Sequence, residues 1–222
     1  MLINFKTYLE ATGKRAVELS RRIEQVALSY NVKVGVAPQF CDIAQVTAHV
    51  QIPVFAQHID PVSPGAHTGH VIAESVKAVG GSGTLINHSE RTLQLIDIEK
   101  AVTCAREAGL STVVCAGTTT SAAAVAVIRP EMVAIEPPEL IGSGRAVSKE
   151  RPEIISDSVR KIRAVNPDVR ILCGAGITTG DDVYAALRLG AQGVLVASGV
   201  IKARNPEDVL VDFCKGVRKY NL

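Results

Sequence analysis

Residues 112–136 read TVVCAGTTTSAAAVAVIRPEMVAIE, and the rest of the chain repeats their grammar. Thr112-Cys115 is a short β-branched run, Gly117 and Thr118-Thr119-Thr120 break it, an uncharged Ala/Val-rich segment to Ile128 suits a helix, and Met132-Ile135 is a second apolar run. The segment therefore reads strand, turn, helix, strand. The uncharged stretch from Ala108 to Ile128 is too often interrupted by Gly109, Gly117 and hydroxyl residues for a membrane span.

Working outward, similar runs occur at Leu2-Phe5, Val32-Ala37, Val54-Ala56, Thr84-Asn87, Arg170-Cys173 and Gly193-Val196. With the opening pair they make eight, whose starts lie 30, 22, 30, 28, 20, 38 and 23 residues apart. Such spacing is close to the length of a βαβ unit, about 30 residues, so the sheet is parallel. The intervals carry helical periodicity. Ala16, Leu19, Ile23, Val26 and Tyr30 step by three and four along one face, as do Ile155, Val159, Ile162 and Val165 behind Pro152. Asn205-Pro206 supplies an N-cap and a first-turn proline, with Asp208 in the same turn and Val209 and Phe213 beyond.

Periodicity alone leaves two architectures open, a doubly wound open sheet and a closed (β/α)8 barrel. The count of eight and the polar, glycine-rich stretches after strand C-termini lean toward the barrel. No linker or compositional break divides residues 1–222, so one compact α/β domain is expected.

Composition narrows the function. With 47% hydrophobic and 21% charged residues the chain can build its own core without staples. Lys plus Arg at 24 against 22 for Asp plus Glu, no basic run longer than two and no Trp argue against a nucleic-acid partner. Five unpaired-looking cysteines suit a reducing compartment, and Lys6 and Glu10 interrupt any secretory signal, so a cytoplasmic protein without a membrane segment is expected. His67 and His70, with His58 nearby, suggest a metal by spacing, but no Cys or carboxylate set completes a tetrahedral site, and no metal or cofactor is expected.

In a barrel, the residues just beyond each strand converge on one mouth. Here they are Asn4 and Lys6, Gln57, Asn87-His88-Ser89-Glu90, Glu136, and glycine-rich turns after the last two strands. One lysine, one histidine and one carboxylate meet. The motifs Asn4-Phe5-Lys6, Ala56-Gln57, Gly65-Ala66-His67-Thr68-Gly69, Asn87-His88-Ser89-Glu90-Arg91, Ile135 to Gly144, Cys173-Gly174-Ala175-Gly176 and Ala197-Ser198-Gly199 occur in that order. Together they resemble the triosephosphate isomerase family, especially its shorter archaeal branch, across essentially the whole chain.

The resemblance implies a single TIM barrel that interconverts D-glyceraldehyde 3-phosphate and dihydroxyacetone phosphate by proton transfer through an enediolate, in glycolysis and gluconeogenesis. It makes Glu136 the base, His88 the electrophile, and Lys6 and Asn4 the charge and polar contact at the substrate, with Glu90 behind them orienting Lys6. Ile135 to Gly144 becomes a lid, stiffened by Pro137-Pro138 at one end and freed by Gly142 and Gly144 at the other. Ile141, Gly142 and Ser143 of that lid, with Gly176, Ala197 and Ser198, would grip the phosphate. A helix beginning at His88 would keep the imidazole neutral. Cys115 and Cys173, ending strands, are expected to pack as small hydrophobes.

The same resemblance places the Thr68 loop in a subunit interface near Asn4 and Lys6 of a partner copy, and favours a homotetramer over a homodimer. It also exposes departures from the longer family pattern. Asn87 stands where glycine is usual, the lid lacks a tryptophan, Gly174-Ala175-Gly176 replaces a longer Tyr-Gly-Gly-Ser turn, and helices after strands two and five have little room. Other readings are another sugar-phosphate barrel enzyme, an aldolase or synthase, or an inactive phosphometabolite-binding barrel. A Schiff-base aldolase would want a lysine near strand six, where the chain has Glu136.

Overall fold

The eight apolar runs form eight parallel strands, in a computed structural model that describes residues 1–142, 144 and 146–221. They are β1 (Leu2–Asn4), β2 (Gly35–Ala37), β3 (Phe55–Ala56), β4 (Gly83–Ile86), β5 (Ser111–Ala116), β6 (Met132–Ile135), β7 (Arg170–Cys173) and β8 (Gly193–Val196). Their hydrogen-bonded order runs β2-β1-β8-β7-β6-β5-β4-β3. The two ends meet through a parallel bridge between Val36 and Val54, where the Val36 N–H donates to Pro53 O at 3.0 Å. The sheet is thus a nearly closed barrel, the alternative that spacing alone leaves undecided.

Among the described residues ten α-helices lie between and after the strands: α1 (Lys14–Tyr30), α2 (Ile43–Thr47), α3 (Ala73–Ala78), α4 (Leu95–Glu107), α5 (Thr119–Ala126), α6 (Val147–Glu150), α7 (Pro152–Val165), α8 (Gly180–Arg188), α9 (Ser198–Ile201) and α10 (Pro206–Tyr220). Their starts follow local chemistry. Thr118 and Thr179 close capping boxes with Ser121 and Asp182, and the Asn205 side chain accepts from the Glu207 N–H ahead of Pro206. α2 and α5 are short, as their intervals require. α3 is equally brief although its interval is long, because residues 57–72 are loop. The run Val32-Ala37 shortens to β2 because Asn31 is left-handed and the Val32 N–H caps α1 on Ala27 O.

The pleat sorts side chains into two cores. Leu2, Ala37, Phe55, Leu85, Val113, Ala134, Leu172 and Leu195, one from each strand, fill the barrel interior together with Cys115. Their neighbours Ile3, Val36, Ile86, Val114, Val133, Ile171 and Val194 face outward and pack under the helices with Ile23, Ile155, Ile162 and Phe213. Each fully buried Ile contributes about 1.5–3 kcal/mol. Val165, read as the last member of α7's apolar face, is 47% exposed at the fraying end, and Ser158 is buried instead. The interior plug closes one end of the barrel, so inward-pointing positions beyond it are left for a site.

Candidate active site

Strand parity delivers the carboxylate. Met132 and Ala134 of β6 point inward, and two residues on Glu136 does too, above the interior plug. It is 4% exposed, and its Oε2 has no hydrogen-bond partner. Gly174, following β7, lies beneath it. A Cβ there would drive into Glu136 Cγ and come within 3.0 Å of Cδ, so only glycine leaves the carboxylate its place. Burial raises the Glu136 carboxyl to about 7, against the opposing pull of the neighbouring Cys115 thiol and the Lys6 charge, with the Glu90 charge adding to the rise. Such a group is a far better proton acceptor near neutrality than a solvated glutamate.

His88 faces it, with Nε2 3.7 Å from Glu136 Oε1. The expected helix does not begin at His88: residues 88–91 form a turn closed by the Arg91 N–H on His88 O at 2.7 Å, and α4 starts only at Leu95. Neutrality has another source. The Glu90 N–H donates to His88 Nδ1 at 3.1 Å, which makes Nδ1 the acceptor and puts the ring proton on Nε2, toward the cavity. Desolvation and the Lys6 charge push the imidazole below its ordinary range, with Glu90 opposing.

Lys6 is held in the left-handed region at φ +47°, uncommon for a side chain of its size. Three bonds hold that backbone. The Lys6 N–H donates to Asn4 Oδ1 at 2.9 Å, and Gln57 Nε2 donates to Lys6 O at 2.8 Å and to Ala37 O at 3.0 Å. The side chain, 10% exposed, pairs with Glu90 Oε1 at 2.8 Å. Glu90 itself is largely exposed and lies outside the cavity lining, so it meets Lys6 from behind. Asn87 also has positive φ, +61°; its side chain donates to Cys115 O at 2.9 Å and accepts from the Leu93 N–H at 2.8 Å. A left-handed position explains why glycine or asparagine suits it.

These groups open on one cavity of about 260 Å³. Asn4, Lys6, His88 and Glu136 line it, and so do Gly176, Ala197 and Ser198, with Ile141 and Gly142 of the segment after β6. The sequence-expected set therefore meets in space, with two reservations: Glu90 stands behind the wall, and Ser143 lies outside the described residues. α9 begins at Ser198, and the first N–H groups of such a turn lack intrahelical acceptors, which suits an anion. Gly142 and Gly144 both have positive φ, consistent with the hinge expected there.

Sequence reasoning overlooked Cys115. It packs in the interior as expected, but it also lies beside Glu136, and burial first, then the Glu136 charge, push its thiol well above its ordinary range. Inward parity on β5, shared with Val113, was the available signal. Away from the site, His58 is buried against Asp60, Nε2 to Oδ1 3.1 Å, and Asp60 also takes Arg91 and the Val71 N–H. The His67 and His70 rings meet edge to face, and no group of three potential ligands for a metal occurs among the described residues.

A closed parallel barrel with a buried carboxylate, a neutral imidazole and a fixed ammonium around one anion-compatible cavity defines a class: barrel enzymes that move protons on small phosphorylated substrates. The comparisons resolve the class. The family model for triosephosphate isomerase matches residues 1–217. Similar curated proteins include the triosephosphate isomerases of Methanocaldococcus jannaschii, 48% identical over 97% of this chain and 98% of that protein, and of Methanothermobacter thermautotrophicus, 51% identical over 98% and 95%. Methanobacterium bryantii has one 51% identical over 96% and 94%. A crystal structure of the Bartonella henselae enzyme superposes with a TM-score of 0.76 over 98% of both chains at 18% identity, which supports the fold. The chain belongs to the triosephosphate isomerase family.

Proposed function

We infer that this chain is an aldose-ketose isomerase that interconverts D-glyceraldehyde 3-phosphate and dihydroxyacetone phosphate, as a single catalytic domain without a cofactor or metal. The observation that carries the reading is the buried Glu136 carboxyl, set 3.7 Å from the protonated nitrogen of His88 on a cavity that also holds Lys6.

The chemistry follows from those positions. Glu136 takes a proton from the carbon beside the substrate carbonyl, and the released electron pair forms the carbon–carbon double bond of an enediolate. The charge collects on oxygen, where His88 Nε2–H donates and Lys6 supplies fixed positive charge, with Asn4 holding the Lys6 backbone. Glu136 then returns the proton to the neighbouring carbon, while the hydroxyl proton leaves one substrate oxygen and reaches the other by way of His88, so that the carbonyl re-forms one carbon along. A neutral imidazole donor and a carboxylate of raised pKa are the pairing that this family illustrates. Glu90 turns both His88 and Lys6 toward the site. Gly176, Ala197 and Ser198, with the lid residues Ile141, Gly142 and Ser143, hold the phosphate.

The isomerisation belongs to glycolysis and gluconeogenesis and would run in the cytoplasm; no described helix is long and apolar enough to cross a membrane. We place the Thr68 loop, exposed over residues 63–70, against a second copy near its Asn4 and Lys6, in a homotetramer rather than a homodimer. Exposed Leu95 and Ile96 at the start of α4 provide apolar surface for such association.

The test is isomerisation of glyceraldehyde 3-phosphate by metal-free protein, coupled to NADH-dependent reduction of dihydroxyacetone phosphate, with Glu136→Gln alongside. Turnover in the wild type and its loss in the variant are expected. A folded wild type without turnover would overturn the reading in favour of another sugar phosphate.

A further inference from the structure

Behind the cavity, Asp182 joins the turn after β7 to α6, the short helix that follows the lid. Asp182 is 3% exposed. Its Oδ1 takes Lys149 Nζ at 2.6 Å, and its backbone carbonyl takes Ser148 Oγ at 3.2 Å. Both donors lie on α6, the stem that carries the lid's far end. Its other oxygen, Oδ2, accepts from the Thr178 N–H at 3.0 Å, the Thr179 N–H at 2.9 Å and Thr178 Oγ1 at 3.2 Å. Gly176, Ile177 and Thr178 line the cavity immediately before that turn. A parallel strut joins the same two segments, the Val147 N–H on Ala175 O at 3.2 Å.

Four donors on one buried carboxylate exceed what capping α8 requires, since Thr179 and Asp182 already close that box. The donor that capping does not explain is the lysine. Lys149 is half-exposed and could stand in water, yet it reaches inward to this anion, and each raises the other's charged population.

We propose that Asp182 and Lys149 are positioning residues that latch the lid stem to the turn beside the phosphate end of the cavity, so that filling that end and closing the lid are one event. The latch rests on the isomerase reading above. Without the latch the lid closes on fewer intermediates. An enediolate left open to water loses phosphate: the oxygen's electron pair re-forms a carbonyl, the carbon–carbon π pair shifts to the next carbon as the carbon–oxygen bond breaks and inorganic phosphate leaves, and the resulting enol gains a proton on its terminal carbon as its hydroxyl loses one, giving methylglyoxal.

The experiment compares wild type, Lys149→Met and Lys149→Arg for kcat, KM and methylglyoxal formed per isomerisation. Because Lys149 is half-exposed, Lys149→Met is expected to keep its fold, lower kcat about fivefold with a smaller change in KM, and raise the methylglyoxal share about tenfold. Lys149→Arg, which keeps a donor for Asp182, is expected to recover most of both. A folded Lys149→Met with wild-type partitioning would overturn the latch while leaving the isomerase intact, and so would a loss of kcat without added methylglyoxal. A wild type that does not isomerise at all would overturn the underlying reading, and the latch with it.

Discussion

Glu136→Gln should be more stable than the wild type at pH 8 by a margin that disappears toward pH 4. The wild-type carboxyl is raised from its ordinary 4.5 to about 7, with burial as the leading cause. Its folded pKa therefore lies above its unfolded one, and between the two the folded state holds a proton that the unfolded chain releases. Stability of the wild type falls as pH climbs through that window, and the loss is complete above 7. A carboxyl moved that far corresponds to about 3 kcal/mol. Glutamine has no such titration. For a chain of this size that is about 6–12 °C in Tm.

The assay is unfolding of both proteins in urea and by heat from pH 4 to pH 8, at one protein concentration and ionic strength. Glutamine leaves its own amide in the place of the unpartnered Oε2, so the absolute difference at one pH mixes two effects. The growth of the gap with pH isolates the buried charge. A gap that stays level within about 1 kcal/mol across that range would refute the argument that burial raises this carboxyl. The same variant should lose at least about a thousandfold in turnover, which would make the base a site where stability is surrendered for function.

The same pKa predicts that kcat/KM falls about tenfold per pH unit below about 7, as one proton occupies the base of the free enzyme; a profile breaking near 5 would contradict it. Gly174→Ala should displace Glu136 and lower kcat about a hundredfold with the barrel intact, visible as a rotated carboxylate in a crystal structure of the variant. Lys6→Met should cost about 10²–10³-fold in kcat/KM in steady-state kinetics, and Lys6→Arg should not restore it, because the guanidinium's fork cannot occupy the ammonium's point position. At Asn87, alanine should destabilise by about 1–3 kcal/mol and glycine by less, since only glycine keeps the left-handed backbone without strain; equal losses in urea unfolding would assign the cost to the side-chain hydrogen bonds instead.

How far the chain could be read differs by kind of residue. The strands were legible because a parallel strand buried on both faces must be apolar throughout, and residues 132–135, 170–173 and 193–196 are found where those runs lie. Barrel closure was legible as a leaning, from the count of eight and the glycine-rich turns and then from the resemblance, but the contact that makes it, Val36 meeting Val54, is a pairing no local pattern marks. Glu136, His88 and Lys6 were legible as mouth residues by topology, and the resemblance gave their roles. The tautomer of His88 was not, because it is set by the Glu90 N–H in a turn that the sequence reading had taken for the start of a helix. Asp182 and Lys149 were invisible for a related reason. Their meaning lies in a contact between two loops, each of which looks like ordinary helix capping and an ordinary surface lysine in its own segment.

The two left-handed residues at the mouth show what the site asks of the scaffold. Lys6 and Asn87 both leave the end of a strand at positive φ, which breaks the pleat's alternation where the cavity begins. Had β4 kept its parity, Leu85 and Asn87 would face inward and His88 would point out among the helices, with Ile86. The turn at Asn87 brings the imidazole back over the mouth instead, within reach of Glu136. The cost of such backbone is about 1–3 kcal/mol at each position and persists only where neighbours hold it. Here they do: Gln57 and Asn4 fix Lys6, while the Cys115 carbonyl and the Leu93 N–H fix Asn87. Cys115 thereby stands next to both partners of the reaction, its carbonyl anchoring the turn that aims His88 and its buried thiol lying beside Glu136.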